Sequence, residues 1–410
     1  MNSGNTTSKI LNISVIVAAL GYFVDIYDLI LFGIVRVQSL KDLGFAGKEL
    51  NDLIGARLLN FQMAGMLIGG IIWGILGDKK GRLSTLFSTI LIYSIANIAN
   101  GFVQNIEQYY CLRFLAGLGL AGELGVGITL VSEVMSKERR GYGTTVVAGI
   151  GIAGAVAGYL VSDLFSWRTA YYVGGGLGLG LLALRVSLYE SGMFSKLKES
   201  SIKRGNFLDL FKTKKIFIKY LKAILVGIPV WFVIGIIVFF ANKFADALHV
   251  QGKITVGKCV MYHYIGASIG AFATGILSQV LKSRRKALIS AIVGLLITIP
   301  ILFLADGISA STFYFLMFLI GIPNGFWSVF VTNAAEQFGT NLRATVTTTA
   351  PNFVRGATVL LTLTFTQYTG SGNTIIVASV IGLVVITAAL WACFTMEESY
   401  HKNLDYLEVN

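Results

Sequence analysis

The sequence predicts an all-α integral membrane protein, with twelve transmembrane helices in two pseudo-symmetric six-helix bundles. Three observations carry this. Twelve apolar runs follow one another along 410 residues, each near the ~20 residues that cross a bilayer core as a helix. Hydrophobic residues make up 55% of the chain and charged residues only 13%, against roughly 25% charged in a soluble domain; mean hydropathy is +0.72. The charged turns between the runs also recur at matching places in the two halves.

The runs fall at 12–36, 54–77, 83–103, 107–133, 142–164, 169–190, 217–241, 256–281, 286–305, 311–334, 344–368 and 373–395. The first follows a short polar stretch, Met1 to Lys9. It contains Asp25 and Asp28 and no small-residue cleavage site, so it reads as a retained span and not a signal peptide. Runs two and three flank the charged turn Gly74-Ile-Leu-Gly-Asp78-Lys79-Lys80-Gly81-Arg82-Leu83. Run four begins near Arg113 and ends at Glu133, before Arg139 and Arg140. Runs five and six are rich in glycine, which suits closely packed membrane helices. A basic, polar connection, 191–215, then divides the chain into bundles at 1–190 and 216–396, with a tail at 397–410. All four prolines lie in the second half. Pro229, Pro300 and Pro351 interrupt runs seven, nine and eleven, and Pro323-Asn324-Gly325 interrupts run ten. Proline frees a backbone carbonyl and lets a span bend or line a cavity.

Twelve spans place both termini on one side. The turns on that side hold Lys79, Lys80, Arg82, Lys137, Arg139, Arg140, Lys214, Lys215, Lys282, Arg284, Arg285, Lys286 and Arg343, whereas the other side holds chiefly Lys41, Lys48, Lys243 and Lys253. Basic residues favour the cytoplasm, so the chain is expected in the cell (inner) membrane with both termini cytoplasmic. The net charge of +12 is accounted for by these turns and their anionic lipid headgroups, and nucleic acid is not an expected partner. Cys111, Cys259 and Cys393 are far apart in apolar runs and give neither a disulfide framework nor metal spacing.

The turn at Gly74–Arg82 answers to Gly275-Ile-Leu-Ser-Gln-Val-Leu-Lys282-Ser-Arg284-Arg285-Lys286 between runs eight and nine. Glu133 to Gly141 after run four answers to Glu336 to Thr345 after run ten. Two correspondences at the same place in each half indicate a six-plus-six repeat, with a cavity between two bundles.

The Asp78 turn resembles the loop signature of the major facilitator superfamily, Gly-x-Leu-x-Asp-Arg-x-Gly-Arg, and Arg343-Ala-Thr345 after Glu336 resembles its second-half counterpart. Gly21-Tyr-Phe-Val-Asp25-Ile-Tyr-Asp28 and Ala121-Gly122-Glu123 are similar to the Glu-Trp-Tyr-Asp-Phe and Gly-Gly-Glu segments of its metabolite:proton symporter branch, with residue changes in both. The resemblance implies a transporter of small polar metabolites.

A charge at mid-membrane costs ~2.5–3.5 kcal/mol on insertion scales, which makes intramembrane charges the first functional candidates. Asp25 and Asp28 share a helical face. With Arg57 and Arg113 they are expected in the outer half of the first bundle, either exchanging a proton or substrate or forming a structural ion pair. Glu123, deeper in span four, either takes the proton inward or tethers a gate. Arg355, deep in span eleven, either receives an anionic substrate or pairs with an acid such as Asp28 or Glu336. Tyr22, Trp231, His263, Asn324, Trp327, Asn333 and Asn352 are cavity candidates, with packing as the alternative for each. Asp78, Arg82, Glu133, Arg139, Arg140, Glu336 and Arg343 lie at the cytoplasmic rim, as a conformational latch or as topology signals.

The chain therefore reads as a secondary active transporter: proton-coupled uptake of a small, carboxylate-bearing metabolite by alternating access, acting as a monomer without cofactor or metal. Span five, Gly149 to Gly158, lacks the Gly-Pro pair common in proton-coupled exporters of the superfamily, which favours uptake. A proton-driven exporter and a non-transporting sensor are the alternatives. No nucleophile–base pair, histidine cluster or metal spacing points to an enzyme.

Overall fold

The computed structural model describes residues 13–45, 47–80, 82–122, 140–190, 207–370, 372–400, 402 and 408. A helix or a pair of helices stands at each of the twelve apolar runs. In the first half these are α1 (Ile13–Asp42), α2 (Lys48–Lys80), α3 (Arg82–Asn100), α4 (Ile106–Leu120), α5 (Arg140–Ile152) with α6 (Gly154–Leu164), and α7 (Trp167–Glu190). In the second half they are α8 (Lys214–Phe232), which continues through a π-helical turn (Val233–Val238) into α9 (Ala241–Ala247), then α10 (Val256–Val280), α11 (Arg284–Phe303), α12 (Ala310–Asn324) with α13 (Trp327–Gln337), α14 (Thr340–Tyr368) and α15 (Thr374–Thr395). Eight helical spans are by themselves long and apolar enough to cross a membrane. The remaining four crossings are α3, α4, α7 and α14. The first two are short as described, α7 is rich in glycine and α14 in threonine.

Helix ends and bilayer ends do not coincide. The apolar run of span two stops at residue 77, yet α2 continues through Asp78 and Lys79 to Lys80. A helix satisfies its own backbone hydrogen bonds in water as well as in lipid, so hydropathy marks the bilayer and not the last helical turn. Local chemistry ends helices more sharply. Asn105 caps α4 by accepting from the Gln108 N–H at 2.9 Å, and Ser309 caps α12 by accepting from Thr312 N–H at 3.2 Å. Span ten breaks between Asn324 and Trp327, directly after Pro323. Gly325 at that break must lack a side chain, because a Cβ there would meet Ala267 O at 2.4 Å and Ala271 N at 2.5 Å. In span seven the π turn begins four residues after Pro229.

The internal repeat extends into the packing. In the first half, Gly65 and Gly69 of α2 and Gly117 of α4 let the two backbones touch. In the second half, Gly266 and Gly270 of α10 do the same against Gly321 and Gly325. These pairs keep the register that sets Gly74 against Gly275, and they are the close approaches that small residues permit between membrane helices. Between the halves, α2 runs along α14 from Asn60, whose Oδ1 accepts from Thr362 Oγ1 at 2.5 Å, to Gly74 beside Thr349. On the other flank α5 meets α10, with Gly149 against Phe272 and Thr145 against Gly275. Below, the face carrying the α2–α3 and α10–α11 turns and the C-terminal segment is termed the tail face, and the other the opposite face.

Candidate functional site

Asp25 and Asp28 are both fully buried on α1. The Asp28 carboxylate lies against Gly174 of α7, where a Cβ would come within 2.2 Å of Oδ1. It is within electrostatic reach of Asp25, of Arg113 on α4 and of Asn97 on α3. The Asp28 carboxylate and the Arg113 guanidinium do not close a hydrogen bond with each other. Instead the Arg113 guanidinium rests in an aromatic box, 5.4 Å from the Phe32 ring and 5.7 Å from Tyr171. The Tyr171 hydroxyl is fixed by that of Tyr109 at 2.8 Å, and Tyr109 in turn donates to Ser39 at 3.3 Å. The acids and Arg113 come together as their sequence positions predict. Arg57 does not join them. It is exposed, next to Tyr110, because its helix is apolar nearly all round and hydropathy does not tell its lipid face from its bundle face.

A second polar cluster forms in the other half. Arg355 of α14 is 1% exposed. Its guanidinium lies 5.5 Å from the Trp327 ring, and its NH1 donates to Asn352 Oδ1 at 3.3 Å. Among the described residues it forms no ion pair: Glu336 is taken by Arg284, and Asp28 faces Arg113. Tyr22 of α1 lies within electrostatic reach of both Asp25 and Arg355, so it stands between the two clusters. Asn324 Nδ2 and His263 Nε2 are 3.1 Å apart, beside the broken span ten. Asn324 Oδ1, Trp327 Nε1 and Arg355 Nε are buried polar atoms without a partner. Native interiors rarely leave such groups orphaned, and two of the three belong to the Arg355 guanidinium and the Trp327 ring beside it. Trp231 is buried in the apolar core and contributes packing.

Two arrangements were not legible from sequence. The first is a buried clamp at the opposite face. Arg36 of α1 bonds Asp52 of α2 at 3.1 Å and Asn242 of the second half at 3.4 Å. Its signal, a basic residue at the edge of run one, reads from sequence as a flanking charge. The second lies at the tail face. Arg284 makes a two-pronged pair with Glu336, both bonds at 3.1 Å, and Ser399 of the tail donates to Glu336 at 2.9 Å and to Asn333 at 3.0 Å. Asn333 therefore seats the C-terminal segment and does not line the cavity, a correction that follows from its position two turns beyond the break in span ten. Arg343 bonds Phe338 O within its own half. Glu336 thus ties the second bundle to the C-terminal segment. Glu123, Glu133 and Arg139 lie outside the described residues, and of Asp78, Arg82 and Arg140 only the backbone is described.

Glu398 belongs to the same tail-face arrangement. It accepts from Ser283 Oγ, from the Arg284 N–H at 2.9 Å and from the Tyr400 N–H at 3.0 Å. Burial alone would raise its carboxyl, but these donors outweigh that and hold it below its ordinary value of 4.5. A carboxyl lowered on docking stabilises the docked tail above the free group's pKa, and that stabilisation is lost as pH falls through the lowered value. Release of the tail, read by the fluorescence of a probe on a cysteine introduced at Lys402, is therefore expected to stay absent from neutral pH down through the ordinary glutamate range and to appear only below it; in Glu398→Gln the tail should be released throughout.

A profile of the Major Facilitator Superfamily matches residues 18–362. The cis,cis-muconate transport protein of Acinetobacter baylyi is 27% identical over 432 aligned residues, covering 99% of each chain. The niacin transporter NiaP of the same organism is 31% identical over 163 residues, 39% of this chain and 36% of that protein, so the match spans well under half of that relative's length. Among solved structures, the proton:xylose symporter XylE bound to 6-bromo-6-deoxy-D-glucose superposes with a TM-score of 0.72 at 16% identity, covering 98% of both chains. That likeness shows the fold alone: two six-helix bundles, as the repeat predicts. By profile match and by fold, the chain belongs to the Major Facilitator Superfamily, a family of transport proteins and not of enzymes.

Proposed function

We propose that the protein is a secondary active transporter that takes up a small carboxylate-bearing metabolite together with a proton, by alternating access between the two bundles. The observation that carries the substrate class is Arg355: a guanidinium 1% exposed whose hydrogen-bond partner is a neutral amide. A buried charge needs a counter-charge, and a planar guanidinium matches a carboxylate with two parallel bonds. The buried faces of Trp327 and Tyr22 beside it suit a flat or unsaturated acid. The relatives named for muconate and niacin carry cargo of this chemistry, which supports the same reading here.

The proton belongs to the first bundle in this reading. Two acids and one guanidinium in a dry site balance when one carboxyl is protonated, and Asp28, poised opposite Arg113 without a closed hydrogen bond, is the exchanging group. Basic residues such as Lys214, Lys282 and Arg285 support a cytoplasmic tail face, with the protein in the cell membrane.

Uptake of labelled benzoate, nicotinate and cis,cis-muconate into proteoliposomes under an imposed proton gradient tests the proposal, with nicotinamide and glucose as uncharged controls. Acids are expected to enter and the controls to stay out. Arg355→Lys keeps the charge but loses the fork, and should raise KM about tenfold with a smaller change in Vmax. Transport of nicotinamide as readily as nicotinate would remove the carboxylate from the reading.

A further inference from the structure

Asn352 sits one helical turn before Arg355 on α14 and is 1% exposed. All of its side-chain hydrogen-bonding capacity is directed. Oδ1 accepts from Arg355 NH1 at 3.3 Å, while Nδ2 donates both to Thr348 O of its own helix and to Ala121 O, each at 2.8 Å. Ala121 is in the other half, where it is the C-cap of α4. At this level α2 comes so close that a Cβ on Gly70 would lie 2.8 Å from both Asn352 Cβ and Nδ2. One turn on, a Cβ on Gly356 would lie 3.1 Å from Leu67 Cβ. The waist of the molecule, where α14 meets α2 and α4, is thus built around one primary amide, and the other side of that amide holds the guanidinium at the centre of the second cluster.

We propose that Asn352 is the residue that couples occupation of the Arg355 site to the parting of the bundles; the proposal rests on the carboxylate reading given above. With the site empty, the Arg355 N–H polarises the amide through its oxygen, which strengthens the bonds its nitrogen donates, since hydrogen bonds in a chain reinforce one another in a low dielectric. A carboxylate on the guanidinium neutralises its charge, so the NH1 bond to Asn352, charge-assisted while the site is empty, weakens. The amide is then less polarised, its hold on Ala121 weakens, and α14 is freer to swing from α2 and α4. Ligand binding thereby lowers the cost of the conformational change in the way linkage requires: the ligand interacts differently with the tied and the parted states. Asn352 touches Arg355 but is not itself a group that holds the cargo.

The test separates binding from alternation. Purified wild type, Asn352→Ala and Gly70→Ala are compared for equilibrium binding of labelled benzoate, nicotinate and cis,cis-muconate, and for counterflow exchange and net efflux of the same acids in proteoliposomes without a proton gradient. In Asn352→Ala the expected Kd stays within about threefold of wild type. Exchange under saturating ligand also stays within about threefold, because the tie is already absent, while net efflux into cargo-free buffer, which needs the unliganded carrier to return, rises about tenfold toward the exchange rate. Gly70→Ala, which leaves Arg355 untouched and wedges the waist from the facing helix, should show the same split, and it carries the test should Asn352→Ala not accumulate in the membrane. Wild-type net efflux in either variant overturns the coupling role while the carboxylate site stands. A loss of binding in Asn352→Ala as complete as in Arg355→Ala makes Asn352 a binding residue and also overturns it. A wild type that binds none of the acids removes the carboxylate reading first, and this proposal with it.

Discussion

Asp28→Asn is expected to abolish accumulation driven by a proton gradient, by about a hundredfold or more, while counterflow exchange of the same cargo survives within a few fold. The substitution keeps the shape and the polar atoms and removes only the ability to hold a negative charge. Asp28 is fully buried against Gly174, and the Arg113 guanidinium stands opposite without a closed hydrogen bond. A carboxylate in that place without a locked partner costs ~2.5–3.5 kcal/mol on insertion scales, a cost that taking up a proton removes. Once neutral at every stage of the cycle, the site has no proton to release and transport reduces to exchange. The aromatic box of Phe32, Tyr109 and Tyr171 gives Arg113 somewhere to rest when the acid is neutral. Proteoliposome uptake with and without an imposed pH gradient decides the matter. If the Asn variant still accumulates cargo against its gradient, another group carries the proton. If exchange and thermal stability collapse together, Asp28 is part of a structural pair and nothing more.

Sequence and structure agree best where a membrane imposes the rule. Twelve runs became twelve helical spans because a bilayer leaves the backbone no alternative to the helix. Pro323-Asn324-Gly325 broke span ten at the expected place, whereas Pro300 and Pro351 lie inside the unbroken α11 and α14: a membrane helix absorbs a lone proline, and span ten breaks where proline is followed by a glycine pressed against another backbone. Asp25, Asp28 and Arg113 were recoverable as a group because a charge inside an apolar run must be satisfied by something at the same depth. What failed was rotation about a helix axis. Arg57 and Arg113 are both charges inside apolar runs, yet one is exposed and the other fully buried. Lipid and bundle interior are equally apolar, so the periodicity that orients a helix in a soluble protein carries little information here. Long-range partners were the other loss. Nothing near Glu336 or Asn333 in the sequence points to Ser399, and nothing near Arg36 points to Asn242.

That last group sets the second large effect. Arg36→Leu is expected to destabilise the closed opposite face by about 3–5 kcal/mol, and the double variant Arg36→Leu/Asp52→Leu by much less. Arg36 and Asp52 are 0% and 2% exposed and 3.1 Å apart, so removing the guanidinium alone strands a carboxylate in a dry site. Its remaining partners, a hydrogen bond from the Asn242 amide at 3.3 Å and the Lys243 ammonium at 3.9 Å, compensate the charge only in part. Removing both charges leaves leucines among Phe239 and Phe240, whose rings now cover the Arg36 guanidinium at 4.4 Å and 5.7 Å; breaking a buried pair is costly, whereas replacing it with packed apolar groups is often close to neutral. Arg36 and Asp52 belong to the first bundle and Asn242, Lys243 and the two phenylalanines to the second. The single variant therefore strains the α1–α2 packing of the first bundle together with the contact between the bundles. Two readouts follow. Thermal unfolding in detergent should rank wild type and the double variant together, above the single. A maleimide on a cysteine introduced at Gly33, which packs beneath Phe239, should react fastest in Arg36→Leu, as water reaches the stranded carboxylate. Equal loss in the single and the double variant would mean that leaving the Asp52 carboxylate without Arg36 carries no penalty of its own. The clamp would then be the consequence of closure at that face, with the Phe32–Phe239 contact at 6.2 Å and its apolar neighbours as the cause.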